Sequence, residues 1–209
     1  MKIILTGGSR GIGLAIKKKF IIEGHNVYFP TRDELDLKND INLISKDFDI
    51  IINNAGINPL NGILELSRDV MQVNYFAPLQ IIQQCLPHMI KNEYGRIVNI
   101  GSMWSNISKI KRSAYSASKS ALDSLARSIT AEYAQHNVLC NTVSPGFIET
   151  DLTYQNNSKD ELEELIKSIP IKRLGNIDEI ANLVYYLTIQ NNFITGQNVI
   201  IDGGYSCVA

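Results

Sequence analysis

Residues 6–13 are Thr6-Gly7-Gly8-Ser9-Arg10-Gly11-Ile12-Gly13, a glycine-rich stretch between two apolar segments. The run before it, Ile3-Ile4-Leu5, is typical of a buried strand, and the apolar residues after it recur at helical spacing. Glycines let a backbone approach a ligand closely, and the N–H groups at a helix N-terminus favour a pyrophosphate. The order strand, glycine turn, helix therefore predicts a nucleotide-binding turn at the start of an α/β fold.

The spacing of this turn is G-x-x-x-G-x-G. It differs from the G-x-G-x-x-G dinucleotide fingerprint, and Leu14 stands where a P-loop would need its phosphate-binding lysine. A kinase or ATPase is therefore not favoured. Taken alone, the stretch also fits a purely structural glycine turn.

Apolar runs and helical patterns alternate along the rest of the chain. Further strands are predicted at 27–29, 50–52, 96–100, 138–143 and 198–201, and helices at 70–90, 114–133, 160–169 and 177–189. This alternation predicts a doubly wound parallel sheet with helices on both faces. We find no linker or internal repeat, so we expect residues 1–209 to form a single domain.

Composition excludes several classes of protein. The 209 residues are 44% hydrophobic and 20% charged with a net charge of -1, which argues against a nucleic-acid partner. Mean hydropathy is -0.04, and no apolar run reaches the roughly 18 residues of a membrane span. The N-terminus does not resemble a signal peptide, so we expect a cytoplasmic protein without membrane contact. Three scattered cysteines and three distant histidines predict no metal site.

Tyr115 and Lys119 lie four residues apart on the helix predicted at 114–133, so both side chains point from one face. An ammonium near a phenol favours the phenolate, and we expect Lys119 to lower the pKa of Tyr115 toward neutrality. Ser102 follows the strand predicted at 96–100, at the edge where ligands of such sheets collect. An isolated Y-x-x-x-K pair is nevertheless more often an exposed pair on an amphipathic helix.

Together the motifs resemble the short-chain dehydrogenase/reductase family over essentially the whole chain. The glycine turn resembles its cofactor turn, and Asn53-Asn54-Ala55-Gly56 resembles its sheet-stabilising motif. Four residues resemble its catalytic tetrad: Asn74, Ser102, Tyr115 and Lys119. Ser144-Pro145-Gly146 and Ile201-Asp202-Gly203-Gly204 resemble in particular the bacterial 3-oxoacyl-thioester reductase branch.

The resemblance implies a Rossmann-like fold and an oxidoreductase that transfers hydride between NADP(H) and a carbonyl or hydroxyl group. It assigns Tyr115 as the general acid and Ser102 as the group that orients the carbonyl. Lys119 would bind the nicotinamide ribose, and Asn74 would hold a water that links Lys119 to solvent. The implied cofactor contacts are Gly7, Ser9, Arg10, Gly11, Ile12, Gly13, Thr31, Arg32, Asp36, Leu37, Asn54, Ala55, Gly56, Tyr115, Lys119, Pro145, Gly146, Ile148 and Thr150.

The end of the second strand indicates which nicotinamide the protein uses. Family members that bind NAD carry an acidic residue there, whereas this chain has Thr31 followed by Arg32. Arg10 resembles a second contact to the 2′-phosphate, so the sequence favours NADP. Asp33 and Glu34 would repel a phosphate if they turned inward, and NAD stays an alternative.

The chain departs from the family between Arg32 and Asn53, where a crossover helix and another strand usually stand. A parallel crossover needs a dozen or more residues, so this segment is too short for both. We expect six strands, with the usual third strand missing and the second strand at the sheet edge.

The resemblance implies a 3-oxoacyl thioester as the best interpretation of the substrate, small or carrier-bound. The stretch 103–112 between Ser102 and Tyr115 carries three cations that suit an anionic substrate or a solvated loop, and Trp104 either floors a pocket or fills the core. The alternatives are a reductase of a sugar-derived or other small ketone and a catalytically silent NADP-binding regulator. The resemblance implies a homo-oligomer, either dimer or tetramer, built around the helices that begin near Val70 and Ala114. Serines every four residues on helix 114–133 support it in part, on a surface broken locally by Lys119, Asp123 and Arg127. Alternatively, these serines pack on a neighbouring helix of the same chain.

Overall fold

A computed structural model describes residues 1–65, 67–155 and 158–208. Its centre is a sheet of six parallel strands in the order β2-β1-β3-β4-β5-β6. The strands are β1 (Ile3–Leu5), β2 (Val27–Tyr28), β3 (Ile50–Asn53), β4 (Gly95–Ile100), β5 (Val138–Pro145) and β6 (Asn198–Ile201). The predicted parallel sheet and its six strands are confirmed, and β2 is the edge strand.

Helices cover both faces of the sheet. They are α1 (Gly11–Ile22), α2 (Arg68–Met71), α3 (Ala77–Lys91), α4 (Ser113–Tyr133), α5 (Asp151–Gln155), α6 (Lys159–Ser168), α7 (Ile177–Tyr185) and α8 (Tyr205–Val208). Two π-helical segments, Gln72–Phe76 and Tyr186–Gln190, continue α2 into α3 and extend α7. The predicted long helices are thus confirmed. The helices predicted at 70–90 and 177–189 each contain a π-helical turn. No helix among the described residues has the length and apolar character that a membrane crossing requires.

Two apolar cores lie on opposite faces of the sheet. One joins β1, β3 and β4 to α3 and α4, and the other joins these strands to α1 and α7. The chain runs outward from β1 to β2 and then returns to the other side of β1 as β3. In such sheets the crevice at this reversal, outside the carboxyl ends of the strands, is where ligands bind. Thr6 and Asn54 follow β1 and β3 at that point.

Segment 31–49 occupies the place in the chain where the family usually has a crossover helix and a third strand. It packs on α3 instead. Its apolar side chains Leu37, Ile41, Leu43 and Phe48 are buried in the core. The backbone N–H of Ile41 donates to Gln80 Oε1 at 2.8 Å, and that of Leu43 donates to Gln84 Oε1 at 3.0 Å. Gln84 Nε2 also donates to the Ile41 carbonyl at 2.8 Å. The side chains of Gln80 and Gln84 therefore satisfy backbone groups of segment 31–49, as a neighbouring strand would in a sheet.

We expect Gln84→Ala to destabilise the protein, because it leaves two backbone groups of segment 31–49 without their partners. The expected loss in free energy of unfolding is about 1–3 kcal/mol, measured by urea denaturation. Gln83 is exposed on the same helix and is the matched control. Equal stabilities for Gln84→Ala and Gln83→Ala would show that the glutamine contacts do not hold this segment.

Candidate active site

The glycine turn closes tightly against the end of β3. Gly7 has a φ of +70°, and a Cβ on Gly13 would lie 2.0 Å from the Gly7 carbonyl oxygen. Asn54 Nδ2 donates to the carbonyls of Thr6 and Gly7 at 3.0 and 2.9 Å. Thr6 Oγ1 in turn accepts from the backbone N–H groups of Asn54 and Ala55, each at 3.1 Å. The residues after β1 and β3 thus form one fixed unit.

The N-terminus of α1 opens onto this unit. Arg10 occupies the N-cap position in extended conformation, and its side chain makes no capping hydrogen bond to the first N–H groups of the helix. A Cβ on Gly11 would lie 3.7 Å from Thr150 Cγ2, which places Thr150 beside the turn. A pyrophosphate suits this place, because it can accept from uncapped N–H groups at the positive end of the helix dipole. The glycines have no side chains to block its approach. These residues therefore fit a dinucleotide cofactor.

Asn74 lies in the π-helical segment Gln72–Phe76 and is buried. Its Oδ1 accepts from Ile57 N at 2.9 Å, while its Nδ2 donates to Ile57 O at 2.9 Å and to Ser118 Oγ at 3.0 Å. A π-helical turn inserts an extra residue and rotates the side chains that follow, and such turns are frequent at functional sites. Here Asn74 joins the loop after β3 to helix α4.

Lys119 brings α4 to the carboxyl end of β4. Its side chain is 4% exposed, and Nζ donates to the Ile100 carbonyl at 2.6 Å. A Cβ on Gly56 would lie 3.2 Å from Asn74 Oδ1 and 3.5 Å from Lys119 Nζ, so these three residues meet at one point. Lys119 Nζ lies 5.8 Å from the centre of the Tyr115 ring. Ser102, also buried, follows β4 and accepts from Trp104 N at 3.3 Å.

The electrostatics of the site differ from the sequence-based expectation. Burial raises the pKa of Tyr115, while a hydrogen bond with Ser102 and the charge of Arg112 act in the opposite direction. Burial also lowers the pKa of Lys119 to about 8, against the opposing influence of Asp123. The expectation that Lys119 lowers the pKa of Tyr115 is therefore wrong for this structure, because desolvation of the phenolate outweighs the neighbouring charges.

The predicted cofactor residues at the end of β2 are exposed. Arg32 Nε lies 3.8 Å from Asp36 Oδ1. The Glu34 carboxylate turns back and accepts from Thr31 N at 2.7 Å and from Thr31 Oγ1 at 3.0 Å. Glu34, three residues after Thr31, therefore places an acidic group at the end of β2. Leu37 is buried in the core beside this segment.

The predicted residues after β5 lie near the opposite side of the glycine turn. Gly146 N donates to Ile201 O at 3.0 Å, and a Cβ on Gly146 would lie 2.5 Å from Asp202 Cβ. Ile148 is buried and pairs by its backbone with Gly175. The structure thus brings Pro145, Gly146, Ile148 and Thr150 to the carboxyl edge that Ser102 and the glycine turn also occupy.

Sequence reasoning missed two residues of this site. Ser118 accepts from Asn74 and donates to the Tyr115 carbonyl at 2.7 Å, so it couples two predicted catalytic residues. Arg112 was noted only as one of three loop cations, and it lies beside Tyr115. The Y-x-x-S-K spacing marks Ser118 as facing inward beside Lys119, and Arg112 stands one helical turn before Tyr115.

Trp104 belongs to the core. It is 8% exposed and packs edge-on against Phe147 and Tyr205 with ring centres 6.0 and 6.4 Å apart. Of the two roles left open by the sequence, the structure therefore supports packing beneath the loop that leads to Tyr115.

A glycine turn at the β1–α1 junction, with a buried serine and lysine and a half-buried tyrosine at the same sheet edge, defines an oxidoreductase of the dinucleotide-binding α/β class. The chain belongs to the short-chain dehydrogenase/reductase family. Residues 36–206 match the family described as enoyl-(acyl carrier protein) reductase. Members of the short-chain family bind a nicotinamide cofactor.

Relatives and solved structures agree with this assignment. The 3-oxoacyl-(acyl-carrier-protein) reductase FabG of Chlamydia pneumoniae is 31% identical over 239 residues, which cover 97% of this chain and 96% of that protein. The FabG of Buchnera aphidicola subsp. Schizaphis graminum is 36% identical over 184 residues, covering 81% of this chain and 75% of that protein. The crystal structure of a putative betaketoacyl-ACP reductase superposes with a TM-score of 0.88 at 28% identity, over 99% of this chain and 98% of that one. A 4-hydroxyisoleucine dehydrogenase complexed with NADH gives 0.86 at 29% identity, over 99% and 98%.

Proposed function

We propose that the protein is an NADP-dependent carbonyl reductase whose leading substrate class is the 3-oxoacyl thioester, small or carrier-bound. The observation that carries the proposal is the meeting of Ser102, Tyr115 and Lys119 at the sheet edge beside the glycine turn. The names of the two FabG relatives support the substrate class. A sugar-derived or other small ketone is the alternative substrate.

Each residue has a distinct role in this proposal. The nicotinamide supplies hydride to the carbonyl carbon when it is bound. Ser102 orients the carbonyl oxygen, and Tyr115, kept protonated by burial, donates its phenolic proton to that oxygen. Lys119 holds the ribose and places a positive charge near the phenol. Asn74 fixes the loop at Ile57 and, as the resemblance implies, holds a water near Lys119. The reverse steps oxidise an alcohol.

A panel of carbonyl compounds tests the reaction. The purified protein is incubated with NADPH and an acetoacetyl thioester, a nucleotide-keto-sugar or a simple hydroxyketone, and NADPH absorbance is followed. Turnover of the thioester supports the leading proposal, and preferred turnover of another compound assigns the alternative substrate class. Binding of NADPH without oxidation across the panel would instead identify a catalytically silent regulator.

NADP is the proposed cofactor because Arg10 in the glycine turn and Arg32 after β2 are both exposed cations. The Glu34 carboxylate held by Thr31 opposes a 2′-phosphate, which makes NAD the alternative.

We also propose that residues 1–209 form one domain around the continuous sheet and act in the cytoplasm, with no nucleic-acid or membrane partner.

Arg32→Ala should weaken NADPH binding by about tenfold or more, since a hydrogen bond to a charged group is worth roughly 1.5–3 kcal/mol. NADH binding should change little, because NADH lacks the 2′-phosphate. Glu34→Gln is the opposing variant and should raise the NADPH to NADH affinity ratio. Titration of cofactor fluorescence measures both affinities, and equal losses for the two cofactors in Arg32→Ala would contradict the proposed contact.

We propose a homo-oligomer, dimer or tetramer, that assembles through α2 and α4. Ser124 and Ser128 are exposed on α4, whereas Ser120 donates to the Ser105 carbonyl of its own chain. Lys119 and Asp123 are buried and do not interrupt this surface, contrary to the sequence-based description. A groove of about 800 Å³ runs between α2 and α4, and its lining includes Ile63, Leu64, Phe76, Ala114 and Ala117. Exposed apolar side chains of this kind suit a second copy.

Light scattering tests the assembly. We expect a mass of at least twice the 23.3 kDa of one chain at micromolar concentration. Leu64→Glu, which places a charge in the groove, should lower the mass toward that of one chain, because a buried unpaired charge opposes association. A mass near 23.3 kDa for the unaltered protein would contradict the proposal.

A further inference from the structure

Arg112 is a half-buried cation beside Tyr115 whose side chain has no hydrogen-bond or ion-pair partner in the described part of the chain. Its Nε is buried, and none of the described residues accepts a hydrogen bond from its side chain or forms an ion pair with it. Burial lowers the pKa of its guanidinium, while the phenol of Tyr115 raises it. A buried donor without an acceptor costs free energy, so such a group marks a place where a ligand can supply the acceptor.

The other two cations of the same loop are placed differently. Lys109 Nζ lies 5.6 Å from the centre of the Trp104 ring. Lys111 is exposed and has a backbone φ of 60°. Of these three cations, Arg112 alone has an electrostatic interaction with Tyr115 among the described residues.

The backbone of Arg112 is fixed on two sides. Its carbonyl accepts from Ser116 N at 2.7 Å at the start of α4, and it pairs with Asn61 in the loop after β3. The Arg112 side chain therefore extends from a fixed backbone position three residues before Tyr115. At this spacing on a helix, the Cβ atoms of two residues lie about 5–6 Å apart. A group bound by Arg112 would belong to the same small molecule whose carbonyl meets Tyr115.

We propose that Arg112 is a specificity-determining residue that binds the C1 oxygen of a 1,3-dicarbonyl substrate while the C3 carbonyl meets Ser102 and Tyr115. The inference rests on the proposed carbonyl reductase function and narrows its substrate. Two groups share the required chemistry, the thioester carbonyl of a 3-oxoacyl thioester and the carboxylate of a free 3-oxo acid. A simple ketone lacks this oxygen, and a phosphate at the far end of a carrier arm is too distant from the reacting carbon to replace it.

Three substrates separate these possibilities: the acetoacetyl thioester of N-acetylcysteamine, acetoacetate and 2-pentanone. For Arg112→Gln, we expect kcat/KM on the preferred dicarbonyl compound to fall on the order of tenfold to a hundredfold, as loss of a charge-assisted hydrogen bond predicts. The value for 2-pentanone should fall much less, because this substrate loses only the effect of the Arg112 charge on Tyr115. Lys111→Gln removes an equal charge from the adjacent exposed position and should leave all three values unchanged. The dicarbonyl compound with the larger loss identifies which oxygen Arg112 binds.

A binding measurement complements the kinetics. The chain contains a single tryptophan, Trp104, so its fluorescence reports on ligands near this loop. Acetoacetate, added to the protein with saturating NADP⁺, should bind more weakly to Arg112→Gln than to Lys111→Gln. Arg112→Lys, which keeps the charge but loses the planar fork, should restore part of the kinetic loss.

The outcomes distinguish the role of Arg112 from the carbonyl reductase function on which it rests. Equal losses on all three substrates, or no loss on either dicarbonyl compound, would overturn the role of Arg112 and leave the carbonyl reductase function standing. NADPH binding without turnover of any carbonyl compound by the unaltered protein would overturn the function, and the role of Arg112 with it.

Discussion

Tyr115→Phe should reduce turnover by about 10²–10⁴-fold, the range that a positioned general acid contributes. The substitution removes only the phenolic hydroxyl, whose pKa burial raises in the native protein. NADPH affinity should be nearly unchanged, because the glycine turn and Lys119 stay intact. Steady-state kinetics on an acetoacetyl thioester and a cofactor binding titration measure the two effects separately.

Tyr133→Phe is the matched control, since Tyr133 lies at the far end of the same helix. It should keep both turnover and cofactor affinity. Near-normal turnover in Tyr115→Phe would remove Tyr115 from the chemistry, and a parallel loss of NADPH affinity would show a structural defect in place of a missing proton donor.

Gly13→Ala should have the second-largest effect. The added Cβ would lie 2.0 Å from the Gly7 carbonyl and 2.4 Å from Asn54 Nδ2, so the turn must open. Opening displaces the N–H groups proposed to bind the pyrophosphate. Loss of two such bonds at roughly 1.5–3 kcal/mol each weakens NADPH binding about a hundredfold or more. Overpacking should also lower the free energy of unfolding by about 1–3 kcal/mol.

Gly62→Ala is the control, because among the described residues a Cβ there would meet only Glu65 Oε1, at 3.7 Å. Its NADPH affinity and free energy of unfolding should match those of the unaltered protein. An unchanged NADPH affinity in Gly13→Ala, measured by isothermal titration, would contradict the place assigned to the cofactor.

Strong local patterns made most of the fold predictable. Ile3-Ile4-Leu5 and Ile50-Ile51-Ile52 are fully apolar runs, as expected for strands covered on both faces, and both are central strands of the sheet. The missing strand followed from the family resemblance together with chain length, because the segment between Arg32 and Asn53 is too short for the usual crossover and further strand. Ser102 and Lys119 were predicted from their places after a strand and on a helix, and Asn74 from the family resemblance; the structure brings the three to one sheet edge.

Contacts between distant residues could not be predicted in this way. Asp123 was placed on an exposed helix face, yet its carboxylate accepts from Asn198 Nδ2 at 2.9 Å in the interior. The raised pKa of Tyr115 depends on its burial in the folded protein, which periodicity does not report. Gln84 is a polar residue on a long helix, and only the fold places segment 31–49 against it.

Transfer of label from NADPH tests the central claim most directly. NADPH deuterated at the transferable position of the nicotinamide is incubated with the protein and an acetoacetyl thioester, and the product is examined by mass spectrometry. We expect a 3-hydroxyacyl thioester with one deuterium at C3, formed by the unaltered protein and lost in Tyr115→Phe. Binding of the cofactor with no labelled product from this or any other carbonyl compound would contradict the account.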